Sequence, residues 1–302
     1  MDQPIGHYCK LGIVHFMAWP QCGGGQGPII ESMTALAADA DFEVVEITRI
    51  GDAAVRREVR AIAEQAGLEL VYAAQPVILA ERLDPNSLDA DARRRAVEAL
   101  KGEIELAYQM GAIGFAFLSG VDPGPAQRPA AVAAFVRTCQ ELCEHAAGLG
   151  AMPVVLESFD REVDKRALVG PNALAAEIAA TVARENFGLL VDLSHLPLQG
   201  EPIEEALAAV RAHLRHAHMG NCLLGRPGDP AWGDQHPRFG YPNSEIGVPQ
   251  LTAYLRGLLQ IGYLRPGRRG VLSFEVKPMP GESTQAVIAN AKRALRQAWL
   301  GV

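Results

Sequence analysis

The sequence has no excess of positive charge, no cysteine spacing suited to a structural metal, and no apolar run of membrane length. With 28 Lys and Arg against 35 Asp and Glu, the formal net charge is −7. No sequence-wide basic field is available to neutralise a phosphate backbone, so nucleic acid is not an expected partner. The five cysteines, Cys9, Cys22, Cys139, Cys143 and Cys222, are odd in number and contain no CxxC pair. They read as reduced thiols of a cytosolic protein rather than as a disulfide framework. No stretch reaches the ~18 apolar residues of a membrane span. The opening residues MDQPIGHYCK lack the basic and apolar regions of a secretory leader. The expected setting is the cytoplasm, with no membrane partner.

What the chain does have is core-forming material, with 49% hydrophobic and 21% charged residues, the balance of a folded globular protein. Short apolar runs predict strands over 11–16, 42–48, 68–74, 113–118, 154–158, 189–192, 214–219 and 271–276. Helical periodicity fills the intervals, at 29–40, 53–66, 89–110, 130–149, 171–184, 203–213, 248–261 and 284–299. Nearly continuous apolar strands alternating with helices call for a parallel sheet covered by helices, and eight such pairs close most economically into a single (β/α)8 barrel. An open doubly wound sheet is the alternative. Residues 1–302 are expected to form one barrel domain. Two connections stand out: the glycine-rich 20–28, read as a lid, and the long loop 220–247 between the seventh strand and the seventh helix. A connection of that length inside a compact domain usually serves function.

In a parallel barrel the C-terminal ends of the strands and the loops after them form the reactive face. The stretch LLVDLSH, 189–195, brings an apolar run to an end in Asp192, with His195 three residues on. Glu157 ends VVLE, His216 and His218 close RHAHM, and Glu275 interrupts LSFEV. Converging buried ionisable groups cost several kcal/mol per ion unless something compensates, and a divalent metal does so. Three carboxylates and an imidazole form a mixed oxygen and nitrogen set suited to Mn²⁺, Mg²⁺, Co²⁺ or Zn²⁺. Residues 216 and 218 share a pleat face, and His218, nearer the mouth, is the expected ligand, with His216 bonded inside the barrel.

Five of the eight histidines fall between His195 and His236. In the long loop, Asp234 and His236 pair a carboxylate with an imidazole. With His195 they would bind a second metal or the substrate, or simply lie at the surface. His15 and Glu46, at the ends of the first two strands, are placed either to contact a sugar hydroxyl or to make structural hydrogen bonds. Trp19 and Trp232 would cover an apolar sugar face or mark a subunit contact.

The order Glu157, Asp192-x-x-His195, His218, Asp234-x-His236, Glu275 resembles the xylose-isomerase-like TIM barrels. That superfamily contains sugar isomerases, ketose 3-epimerases, inosose dehydratases and endonuclease IV. The resemblance implies that Glu157, Asp192, His218 and Glu275 bind one catalytic divalent ion, with Mn²⁺ the first expectation. It further implies that Glu157 and Glu275 move protons on the carbon beside a substrate carbonyl, and that His195 helps hold substrate or metal. The zinc-binding histidines of endonuclease IV are missing where this chain reads YAAQ (72–75) and FLSG (117–120). The epimerases place an arginine where this chain has its loop Asp-x-His pair, and Arg226 or Arg238 would substitute as a substrate contact. The segments HMGN and GDQHPRFG are also similar to the α subunits of bacterial C-glycoside deglycosidases, which eliminate an aglycone from a 3-oxo sugar.

The expectation is therefore a divalent-metal-dependent isomerase or epimerase acting on a small sugar or polyol by proton abstraction next to a carbonyl, as a homo-oligomer. The alternative is β-elimination from a 3-oxo-glycoside, with a small partner subunit. A non-catalytic sugar-binding barrel is the third reading.

Overall fold

The computed structural model describes residues 3–302. Its strands are β1 (Cys9–Val14), β2 (Val44–Ile47), β3 (Glu69–Ala73), β4 (Phe115–Leu118), β5 (Val154–Glu157), β6 (Phe187–Asp192), β7 (Leu214–Met219) and β8 (Gly270–Phe274). Each pairs in parallel with the next, and β1 pairs with β8 from Cys9↔Gly270 to Ile13↔Phe274, which closes the barrel and rules out the open sheet. One main helix follows each strand: α1 (Ile29–Ala37), α2 (Ala53–Ala66), α3 (Ala90–Met110), α4 (Arg128–Leu149), α5 (Asn172–Val182), α6 (Ile203–Val210), α7 (Val248–Gln260) and α8 (Thr284–Leu300).

Local chemistry sets the helix limits. The carboxylates of Asp52 and Asp89 accept backbone N–H groups in the first turns of α2 and α3, a cap worth about 1 kcal/mol. Gly67 and Gly111 end the same helices in left-handed backbone at φ 70° and 73°, where a side chain would be strained. The continuous core fills the layer between sheet and helices. Inside the barrel a smaller cluster of Ala116, Val155 and Leu190 forms an apolar floor. Side chains repeat on one face every second residue, so Glu157 and Asp192 stand directly above Val155 and Leu190. The chemistry is thereby raised to the C-terminal mouth.

The strands differ from the sequence expectation mainly at their ends. β1 stops at Val14, and His15 opens a helical turn, His15–Ala18. β8 stops at Phe274, so Glu275 lies just beyond the strand. Apolar periodicity runs through both points and does not mark where ladder pairing ends. Two short helices, Gln75–Glu81 and His195–Gln199, were not anticipated, because seven and five residues are too few to show a helical period. All five cysteines are free and buried. No described helix is long and apolar enough to cross a membrane.

Candidate active site

Glu157 ends β5, Asp192 ends β6, His218 is the penultimate residue of β7, and Glu275 follows β8. Each offers a ligand atom, and these atoms all lie within 4.8 Å of one another. His218 organises the group. Its Nδ1 lies 2.7 Å from Glu275 Oε2, 3.7 Å from Glu157 Oε1 and 3.8 Å from Asp192 Oδ2. Its Nε2 points the other way, 3.0 Å from Glu46 Oε1, and the same oxygen lies 2.8 Å from His216 Nε2. Backbone and side-chain donors fix the remaining carboxylate oxygens: Gln75 Nε2 donates to Glu157 Oε2 at 2.7 Å, and the Ser194 N–H donates to Asp192 Oδ1 at 2.6 Å.

The charges are held at high electrostatic cost. Burial, and then the nearby Glu275, push the Glu157 carboxyl from its ordinary 4.5 up to about 8. Burial also raises Asp192. Burial would raise Glu275 as well, but His236 and the His218 hydrogen bond overcome it and hold this carboxyl down to about 2. His218, which burial alone would neutralise, is driven well up by Glu46 and Glu275. Buried groups in such number stay together only with compensation.

The donor set fits a divalent ion. Glu157 Oε1 and Asp192 Oδ2 are buried without any hydrogen-bond partner, and both face His218 Nδ1. Orphaned buried carboxylate oxygens are rare unless an ion or ligand completes them. Glu46 on Nε2 gives His218 the outer carboxylate that commonly orients a metal-binding imidazole.

A second array adjoins the first. His195 Nδ1 donates to the Ser158 carbonyl at 2.9 Å, and its ring packs on Phe159 with centroids 4.3 Å apart. Asp234 Oδ1 lies 3.1 Å from His195 Nε2 and 2.8 Å from His236 Nε2. These are charge contacts, and Asp234 Oδ1 and His195 Nε2 are buried without a hydrogen-bond partner. The long loop therefore does deliver Asp234 and His236 to His195. His236 sits at φ 52°, a left-handed backbone that costs about 1–2 kcal/mol for a residue with a Cβ. Gly220 makes room for it: a Cβ there would lie 2.8 Å from His236 Nδ1 and 3.0 Å from Ser194 Cβ.

Residues 34–298 match the family model described as the xylose isomerase-like TIM barrel. The chain belongs to this family. Among solved structures, the barrel is similar to the IolI protein with a bound zinc atom, at a TM-score of 0.72 and 18% identity over 96% of this chain and 97% of that one. It is similar to a D-tagatose 3-epimerase-like protein at a TM-score of 0.70 and 18% identity, covering 97% and 99%. It is also similar to D-psicose 3-epimerase from Clostridium cellulolyticum H10, solved with D-tagatose, at a TM-score of 0.66 and 17% identity over 96% of each chain. At these identities the likeness speaks for the fold. No curated protein sequence matches the chain.

In this xylose isomerase-like barrel a cavity of about 310 Å³ opens above Glu157, His218 and Glu275. Phe16, Met17, Leu79 and Phe159 give it an apolar wall; Gln75, Lys165, Gln235 and Lys277 give it a polar one. Two residues expected to touch substrate stand elsewhere. His15 is buried against Ser32 Oγ at 2.7 Å and stacked near Trp19, and burial lowers its pKa to about 4. Arg238 bonds Glu282 at 2.8 Å and the Gly240 carbonyl, outside the cavity lining. The fully buried His195 lies behind the wall rather than in it. Glu46 does reach the cavity, with its carboxylate held by His216 and His218. Trp19 is buried and Trp232 bonds the Leu224 carbonyl, and neither lines the cavity.

Sequence reasoning missed Gln75, Lys165 and Lys277. Gln75 carried a usable signal, a polar residue just past an apolar strand in YAAQ. Lys165 lies in an aperiodic loop, and nothing local marks it.

Proposed function

We propose that this barrel is a divalent-metal-dependent isomerase or epimerase of a sugar or polyol, moving a proton on the carbon beside a carbonyl. The observation that carries the reading is the meeting of Glu157, Asp192, His218 and Glu275 from four successive strand ends, with unpaired carboxylate oxygens facing one point. These four residues would hold the ion. When bound, it would polarise the carbonyl and its neighbouring hydroxyl and stabilise the developing enediolate. The zinc in the similar IolI structure and the sugar in the similar epimerase structure support the same reading.

The other steps fall to this chain's own side chains. Glu157 and Glu275 come from β5 and from the end of β8, with two strands between them. Carboxylates so separated can act on opposite faces of a carbon, one removing a proton and the other returning it. Gln75 donates to Glu157 Oε2 and so orients this carboxylate at the cavity floor. Lys165, Asp234 and Gln235 supply donors and acceptors to sugar hydroxyls along the polar wall, while Phe16, Met17 and Leu79 exclude water.

A second reading shares the first step and ends in β-elimination from a 3-oxo-glycoside. It is favoured by the additional His195–Asp234–His236 array, whose Asp234 and His236 line the cavity and would offer an acid to a departing group. Product analysis by NMR on a panel of ketoses, with Mn²⁺ and then with chelator, tests the proposal. Epimeric or isomeric products that vanish with chelator are expected. Release of an aglycone from a 3-oxo-glycoside only after a second protein is added would favour elimination. Unimpaired turnover of a known substrate by both Glu157→Gln and Glu275→Gln would remove both glutamates from the chemistry.

A further inference from the structure

The loop between β5 and α5 is gathered around one fully buried carboxylate. Asp160 Oδ2 accepts the backbone N–H groups of Val163 and Asp164, each at 2.7 Å, and Oδ1 accepts that of Lys165 at 2.9 Å. This cage fixes Lys165, whose side chain is 18% exposed, at the cavity wall. Its Nζ lies 2.9 Å from Asp234 Oδ2 and 3.1 Å from Asp164 Oδ2. Asp164 Oδ2 in turn accepts the Asp234 backbone N–H at 3.1 Å. Gly233, at φ 80°, permits that approach, since a Cβ there would lie 3.1 Å from the same oxygen. The loops after β5 and β7 are thus stitched together at a single ammonium.

That ammonium sits beside a place where a second metal ion would otherwise fit. Ligand atoms of Asp192, His195 and His236 lie within 4.8 Å of one another, and Asp234 adjoins both imidazoles. Two carboxylates and two imidazoles are a sufficient ligand set for a divalent ion. The charge of Asp234, however, is already met by Lys165 on its other oxygen. A second ion would have to approach a fixed like charge inside a low-dielectric site, where repulsion is strong.

We propose that Lys165 is the built-in second cation of this site, neutralising Asp234 and keeping the Asp192–His195–His236 triangle free of metal, so that the barrel holds one divalent ion. Lys165 acts as a positioning residue, holding Asp234 for the two imidazoles. The inference rests on the metal reading above.

Elemental analysis after equilibrium dialysis against excess Mn²⁺ tests it, together with the electron paramagnetic resonance spectrum. One ion per chain and an uncoupled Mn²⁺ spectrum are expected for the wild type and for Lys165→Arg. Lys165→Met should bind two, with the spectrum of a spin-coupled pair. Two ions in the wild type, or one in folded Lys165→Met, would overturn the inference and leave the metal reading standing. No ion in the wild type would overturn both. If Lys165→Met does not fold, the wild-type stoichiometry and Lys165→Gln decide the question in the same way.

Discussion

Loading the site with a divalent ion should expel protons, and the structure says how many. At pH 7 a carboxyl whose pKa is about 8, as for Glu157, is about nine-tenths protonated. His218 faces Glu275 through Nδ1 and Glu46 through Nε2, both hydrogen-bond acceptors, so without an ion it carries two ring protons. One of these must leave if Nδ1 becomes a ligand. Mn²⁺ binding at pH 7 should therefore release about two protons, falling towards one above pH 9 as Glu157 ionises unaided. Affinity should rise with pH over the same range. Isothermal titration calorimetry in two buffers of different ionisation enthalpy measures the number directly.

The same protons govern stability. Because the folded Glu157 pKa lies above its ordinary 4.5, its contribution to the ion-free protein is present below that value and is lost as pH rises through about 8. An ion that binds only the folded state at a hundred times its Kd adds ~2.7 kcal/mol. With an unfolding entropy of ~2.1 cal/mol/K per residue, that raises Tm by about 4 °C for 302 residues. Binding with no buffer-dependent heat, or a melting temperature indifferent to chelator, would refute this account of the site.

Other outcomes follow from individual contacts. Glu275→Gln, isosteric but unable to take a proton, should lower kcat about 10²–10⁴-fold with circular dichroism unchanged. Gly220→Ala places a methyl 2.8 Å from His236 Nδ1; thermal melts should show a loss of about 1–3 kcal/mol and kinetics a reduced kcat. Tyr72→Phe removes the hydroxyl that donates to the buried Glu103 at 2.5 Å, and urea unfolding should record a loss of about 1–3 kcal/mol without a change in metal content. Arg238→Ala cuts a contact outside the cavity, so KM should stay within about twofold of the wild type, the scale of a surface change under 0.5 kcal/mol.

The fold was legible because its determinants are local and repeated. Most strands from LGIV to LSF are short, largely apolar runs, with LRHAHM of β7 the exception, and each is followed by a helix with its own periodicity or cap. The convergence of Glu157, Asp192, His218 and Glu275 was legible for a related reason: a carboxylate or imidazole closing an apolar strand has only the barrel mouth to occupy. The loop-borne part was less so. Asp234 and His236 stood out by type, but their approach to His195 depends on a left-handed backbone at His236 and on the space above Gly220, neither of which has a periodic signature. Lys165 depends on a turn wound around Asp160. His15 and Arg238 stand outside the cavity lining because a polar residue near a strand end can equally turn to a neighbour such as Ser32 or Glu282.

The most direct test of the proposed chemistry is solvent exchange at the substrate carbon. A ketose that the Mn²⁺-loaded protein converts should, in D₂O, acquire one deuterium on the carbon beside its carbonyl, seen by NMR and mass spectrometry. Chelator should abolish both conversion and exchange, and added Mn²⁺ should restore them together. Conversion by the loaded protein with no deuterium at that carbon, or undiminished conversion in chelator, would contradict metal-dependent proton transfer.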